Sequence, residues 1–313
     1  MRFLLTIFLV AGLGSAVSCR GRATKGVDID SAFTRFIPMD AKVLAGFEVK
    51  KLELTPLYSN HRAQFNSGLQ AFSQRTGFNP ERDVSSVLGA WNGNRFIALA
   101  RGDFDESKLQ AKLDSFGMRR RSYDEYTLFV NDASSILFLR KGTIAAGSAR
   151  ALEQMVDNSK NGQSGVPGEL QQQLEVLPAN DQLWLVSRSG LPFADVPLRS
   201  DIGSALSNIV GYVSRTQMGV AVDSGIHLQA DLTCVSDQGA QRVRDALRGG
   251  LGLARLSTRD DQLDLLRLYD TVHVDQDRTI IHVRSDLDAE LANKLLAYIP
   301  ELRDRFGEMR DQK

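Results

Sequence analysis

From Met218 onward the apolar residues take every second position. Met218, Val220 and Val222 are followed, across Asp223-Ser224-Gly225, by Ile226, Leu228, Ala230, Leu232 and Cys234. The alternates, among them His227, Gln229 and Asp231, are mostly polar, which is the period of a sheet with one buried face. Gly225 reads as the positive-φ residue of a three-residue hairpin loop. Pairing Val222 with Ile226 then sets Val220 opposite Leu228 and Met218 opposite Ala230. From Ser236 the period turns helical, with Ala240, Val243, Ala246 and Leu247 on one stripe. The pattern predicts a hairpin followed by a helix that covers it.

The same alternation of strand and helix runs through the rest of the chain. Ile37-Pro38-Met39-Asp40 leads into a strand over 42–49, and a helix over 56–75 carries Leu57, Phe65, Leu69 and Phe72 inward. Asn92-Gly93 joins strands over 84–91 and 94–100. The unbroken run Phe96 to Ala100 predicts burial on both faces of that hairpin. Asp105 caps a helix whose inner residues are Leu109, Leu113 and Phe116; strands over 127–130, 135–140 and 143–146 follow. Ser148 caps a helix bearing Leu152, Met155 and Val156.

Past the glycine-rich break at 158–168 and a short helix over 169–175, the plan restarts. Leu177-Pro178-Ala179-Asn180 opens a strand over 182–187, and a helix-prone region through Ile202, Leu206 and Ile209 precedes the Met218 hairpin. The chain stays helix-prone through Leu263, Leu266 and Leu268. In a second hairpin, Val272 and Val274 face Ile281 and Thr279 across a turn at 275–278. A last helix, capped by Ser285 or Asp286, carries Leu287, Leu291, Leu295 and Ile299. This order predicts an α+β fold: two tandem related units of antiparallel sheet, 36–157 and 177–306, with helices packed on one face in ferredoxin-like manner. Residues 158–176 form a linker with a short helix, and the units either stack or share one sheet.

The 313 residues are 42% hydrophobic and 24% charged, a globular composition. With 38 basic against 38 acidic residues there is no net field to recruit nucleic acid or an anionic membrane, and Arg119-Arg120-Arg121 reads as a solvated strand end. The amino terminus is different. Met1-Arg2 and the apolar run from Phe3 to Val17 have the layout of a secretory signal peptide, residues 1–18. Ala16-Val17-Ser18-Cys19 resembles the lipobox of bacterial lipoproteins, which implies acylation of Cys19 and a lipid anchor at the cell envelope. Ala16 stands where leucine is commonest in that family, so ordinary cleavage to a soluble periplasmic or secreted protein is the alternative. Residues 19–35 read as a tether and 307–313 as a polar tail. Cys234, on the buried strand face, is left as a free thiol. Lipobox, tether and two α+β units, each opening with hydrophobic-Pro-x-Asp/Asn, together resemble bacterial envelope lipoproteins of that layout. The resemblance brings no activity, cofactor or site residues with it.

Candidate chemistry is sparse. His227, His273 and His282 point outward from their strands; with Gln229 and Asp231 they form the candidate surface, without the tight spacing of a metal site. No H-E-x-x-H, C-x-x-C, G-x-S-x-G or P-loop pattern occurs, so no catalytic residue, metal ligand or cofactor is assigned. Gly249-Gly250-Leu251-Gly252 reads as a helix end, Gly147-Ser148 as a cap rather than an anion cradle, Asp275 and Asp277 as turn residues, and Trp91 and Trp184 as core. The expected function is a non-enzymatic binding or assembly module, anchored to the membrane and partnered by another envelope protein. The alternatives are a periplasmic hydrolase with a site in a cleft between the units, and a metal-handling protein.

Overall fold

The two strands that follow the hydrophobic-Pro openings lie side by side. In a computed structural model describing residues 26–63, 73, 79–132, 134–140, 142–192 and 209–297, β1 (Val43–Phe47) pairs antiparallel with β8 (Leu183–Ser187), Ala45 opposite Leu185. The first half supplies β2 (Val84–Trp91), β3 (Phe96–Gly102), β4 (Arg119–Tyr123), β5 (Tyr126–Val130), β6 (Ser135–Leu139) and β7 (Thr143–Gly147). The second supplies β9 (Val213–Val222), β10 (Ile226–Cys234), β11 (Val272–Asp277) and β12 (Ile280–Leu287). They form one sheet of 12 strands, in the order β4-β5-β6-β7-β3-β2-β1-β8-β9-β10-β12-β11. The shared sheet is therefore the arrangement adopted, and the α+β antiparallel architecture is the expected one.

The duplication is visible in the topology. The series β1-β2-β3-β7-β6 is matched by β8-β9-β10-β12-β11, with the β4–β5 hairpin as an addition to the first half. Residues 31–47 and 171–187 pass through the same succession of helix, turn and strand, residue for residue. The β1–β8 pair is thus the local two-fold seam.

After α1 (Ser31–Thr34) come the short helices α2 (Val49–Glu53), α3 (56–63) and α4 (Pro80–Asp83); α1, α6 (Ala149–Lys160) and α7 (Gly168–Leu174) cover one face of the first half. Phe33, Leu152, Met155, Leu170 and Leu174 pack there on Leu44, Leu99, Leu128, Leu137 and Ala145. On the opposite face α5 (Glu106–Ser115) lays Leu109 and Leu113 on Phe129, Phe138, Ile136 and Ile144. In the second half that opposite face is the buried one. There α8 (Asp237–Ser257) sets Ala240 and Val243 on Leu232, Cys234 and Ile281. Beside it, α9 (Leu263–Thr271) and α10 (Ala289–Ala297) bring Leu268, Leu291 and Leu296 to Val222, Ile226 and Leu287. Leu57, on the helix over 56–63, joins this last cluster, and His61 Nε2 shares a 2.7 Å hydrogen bond with Asn293 Oδ1. That ties the first half to the second away from the seam.

One row of in-register neighbours shows how the two halves differ. On a single face it runs Arg121–Leu128–Leu137–Ala145–Leu99–Leu88–Gly46 and continues, past the seam, Trp184–Gly219–Gln229–Arg284–His273. Apolar residues give way to polar ones at Trp184. Its indole lies across Gly46, where any Cβ would overlap the ring, and its Nε1–H is buried with no acceptor among the described residues.

Several expectations are corrected. Residues 27–35 are not tether: Val27 and Ile29 pack on the core, Phe33 is buried, and Val27 N–H donates to the Leu174 carbonyl at 2.9 Å. Residues 168–174 are not linker, because Leu170 and Leu174, one helical turn apart, are fully buried in the same core. Phe96 is 57% exposed and Ala98 and Ala100 are half-buried, so only the Ile97–Leu99 face of β3 is core. Phe116 is likewise exposed, as the residue that ends α5.

The Met218 hairpin has the register expected, but Gly225 is not in the left-handed region; a Cβ there would overlap the Leu287 carbonyl oxygen. The second hairpin turns two residues later than expected, at Arg278-Thr279. Val274 therefore faces Val283 and Val272 faces Ser285, with Arg278 taking the strained φ of 50°. Because β12 then extends to Leu287, the cap of α10 is Asp288, whose Oδ1 accepts from Leu291 N–H at 2.8 Å. Helix α8 does not end at its glycines. A Cβ on Gly249, Gly250 or Gly252 would meet nothing within 4 Å, and backbone pairing carries the helix to Ser257. The signal segment, Cys19, Phe65, Leu69, Phe72, Ile202, Leu206, Ile299 and the tail lie outside the described residues.

Gly46→Ala is expected to destabilise the protein by about 2–3 kcal/mol, because the new methyl group has to displace a buried indole. Urea denaturation checks this: a midpoint within experimental error of the parent's would refute the packing of Trp184 on β1.

Candidate functional site

The polar face of the second half is the continuation of the face that α6 and α7 cover in the first. On it the alternates of β9, β10, β12 and β11 stand in rows. In one row Gln217 neighbours Asp231, Asp231 neighbours His282, and His282 neighbours Asp275; in the next but one, Ala221, His227 and Asp286 are adjacent. No helix among the described residues packs over these rows. Strand periodicity alone puts His227, Gln229, Asp231, His273 and His282 on this face together, as the alternation predicted.

The side chains form pairs rather than a pocket. Asp231 is the hub: Oδ1 shares a 2.8 Å hydrogen bond with His282 Nδ1 and lies 2.9 Å from Arg284 Nη1, while Oδ2 accepts from Gln217 Nε2 at 3.0 Å. Burial pushes the Asp231 carboxyl up, but hydrogen bonds from His282, Arg284 and Gln217 outweigh it and hold the group below the usual carboxylate range. His227 Nδ1 bonds Asp286 Oδ1 at 2.9 Å, and its Nε2 lies 3.5 Å from Asp223 Oδ2. The Asp286 hydrogen bond raises the imidazole above its ordinary value despite partial desolvation. His273 stands exposed on the edge strand, opposite Arg284 and diagonal to His282, and joins none of these pairs.

Gln229 reaches the other way, toward the seam. Its Nε2 donates to Asp181 Oδ2 at 3.4 Å, and Asp181, only 3% exposed, lies over Gly219, where a side chain would collide with it. Burial pushes the Asp181 carboxyl up to about 6, the Gln229 hydrogen bond offsetting only part. Next to it Gln182 clasps the last residue of β9, donating to Val222 O at 2.9 Å and accepting from Val222 N–H at 2.7 Å.

Two expected alternatives meet this geometry directly. The cleft between the units is closed by backbone pairing of β1 with β8 and by Trp184 on Gly46. A histidine metal site is not assembled: His227 and His282 are each turned to their own carboxylate, and among the described residues no three His, Cys, Asp or Glu side chains group to hold a metal ion. Cys234 is buried and free, and burial raises its thiol.

Arg284, Asp286 and Gln217 belong to the face and were legible as polar alternates on the same period. Asp181 was not, since nothing local distinguishes it from a solvated turn residue. No helix among the described residues is long and apolar enough to cross a membrane.

Asp181 binds its proton more tightly in the folded than in the unfolded chain. Its contribution to stability is therefore full below the ordinary carboxylate value and is lost as pH rises through about 6. Asp181→Asn is expected to stabilise the protein by about 2–3 kcal/mol at pH 8 and to be near neutral at pH 4. Urea denaturation at the two pH values checks it, and equal effects at both would rule out a buried titrating carboxyl.

No family model matches the chain, and no curated protein does. Among solved structures it is similar to crystal form III of TP0453, with a TM-score of 0.51 at 10% identity over 87% of this chain and 99% of that one. Crystal form I of TP0453 aligns with a TM-score of 0.46 at 11% identity, over 83% and 96% of the two chains. The likeness to form III supports the α+β fold.

Proposed function

We propose that this protein is a non-enzymatic binding or assembly module, held at the cell envelope by an acyl group on Cys19, that docks another envelope protein on the open polar face of β9, β10, β12 and β11. The observation that carries the reading is the asymmetry of one sheet face. The first half buries it under α6 and α7, and the second presents Gln217, Asp231, His282, Arg284, His227 and Asp286 in fixed pairs. A preorganised array of donors and acceptors on a rigid sheet loses little side-chain entropy on docking, and its mixed charge favours a polar partner of complementary pattern. The closed seam and the absence of a grouped metal set among the described residues favour this reading over a hydrolase or a metal carrier. The lipobox-like residues before Cys19 support the anchor.

Two measurements test it. Membrane fractionation with mass spectrometry of the amino terminus is expected to find the parent acylated and membrane-bound and Cys19→Ala soluble. A soluble, unacylated parent removes the anchor. A photo-crosslinking residue at His273, beside the open face, is expected to capture one specific envelope protein in cells. The same residue at Arg119, on the opposite edge strand, is expected to capture none. Equal capture from both positions refutes the docking face.

A further inference from the structure

The groove at the β1 end of the first half carries more positive charge than the protein neutralises. It lies where the lead-in to β1, the β2–β3 turn and the first turns of α6 converge, an open depression of about 520 Å³ lined by Asp40, Lys42, Asn92, Asn94, Arg95, Arg150 and Gln154. Asp40 is the one carboxylate among its described lining residues, and that group is already engaged: Oδ2 lies 2.7 Å from Arg95 Nη2 and accepts from Asn92 Nδ2 at 2.7 Å. Arg95 is held further by Gln154 Oε1. Lys42 and Arg150 are exposed and have no anionic partner among the described residues.

One of these cations sits where the fold makes it costly, and the other lies against the β2–β3 turn. Arg150 is in the first turn of α6, a helix with no acidic residue there, so the positive end of its dipole opposes the guanidinium. Lys42 Nζ stands 3.3 Å from the point a Cβ on Gly93 would occupy, so the ammonium lies against the bare backbone of the turn. Ser148 caps the helix itself, its Oγ accepting from Ala151 N–H at 3.3 Å. The surplus therefore resides in the side chains of the groove and not in the helix end.

We propose that this groove binds a phosphoryl anion, with the Lys42 ammonium and the Arg150 guanidinium as its charge partners, Asn94 as an added polar contact, and Arg95 fixed by Asp40 and Gln154 as the wall. A tetrahedral anion takes hydrogen bonds from an ammonium and a guanidinium together, and the α6 dipole then favours the bound charge. The phosphoryl group can come from a soluble phosphate or from a lipid headgroup. The site is separate from the open face of the second half and does not depend on it.

The test uses the Cys19→Ala protein, so that no acyl chain contributes to membrane binding. Titration calorimetry with inorganic phosphate at low ionic strength is expected to show millimolar or tighter binding. Lys42→Gln/Arg150→Gln is expected to lose at least about tenfold in affinity. Lys108→Gln/Lys112→Gln, which removes the same charge from α5, is expected to retain it. Flotation with phosphatidylglycerol vesicles separates the sources. Phosphate binding without flotation identifies a soluble ligand, and flotation that depends on Lys42 and Arg150 identifies the headgroup. Absence of both, or equal losses in the two double variants at unchanged circular dichroism, overturns the proposal.

Discussion

The antiparallel pairing of β1 with β8 is the constraint from which the rest follows. It joins two half-sheets into one, and it does so with five residues from each half. Such a short seam holds because the side chains across it are mismatched in size: Gly46 leaves room for the whole Trp184 indole, which caps the edge of the first half's core. Among the described residues the buried indole N–H finds no acceptor, a loss of about 1–3 kcal/mol that the apolar contact offsets. Helix α7 and residues 27–36 pack on the same core. The segment joining the halves is thus part of what cements them.

Past the seam the same sheet face changes character, and the change has an electrostatic cost. Asp231 and Asp181 are both partly or wholly withdrawn from water, yet they resolve it in opposite ways. Asp231 gathers His282, Arg284 and Gln217 and is held below the usual carboxylate range, whereas Asp181, with one long hydrogen bond from Gln229, keeps its proton up to about pH 6. A face built only to be wet would not need such pairing, since exposed ion pairs add little stability. The pairing fixes side-chain directions on the open sheet. In the first half the positive groove around Lys42 and Arg150 lies beside the first turns of α6 and shares no residue with the open polar face of the second half.

How much could be read from the chain depended on whether the signal was local. The Met218 hairpin was legible to the residue, because period-two burial leaves a single register that keeps Val220, Leu228 and Ala230 on one side. The second hairpin was not. Gln276 and Thr279 offer no apolar contrast, and the turn is set by Arg278 entering the left-handed region. The glycines of α8 were misleading for a related reason: a glycine weakens a helix by about 1 kcal/mol but does not end one whose apolar stripe is already docked. Val27, Ile29, Leu170 and Leu174 looked like tether and linker because each segment is too short to show a period, and only the surrounding core reveals their burial.

By itself the sequence determined the element order, the repeat, the buried face of the main hairpin and the set of polar residues on its other side, because these depend on neighbours two, three or four positions apart. Tertiary structure alone decided that the halves share a sheet, that Gly46 and Gly225 are there for close approach, and that Asp181 is buried. It also decided that Lys42, Arg95 and Arg150 converge on one groove. Each of those facts arises from residues dozens of positions apart, brought together by strand pairing and packing, and no local period encodes a contact of that range.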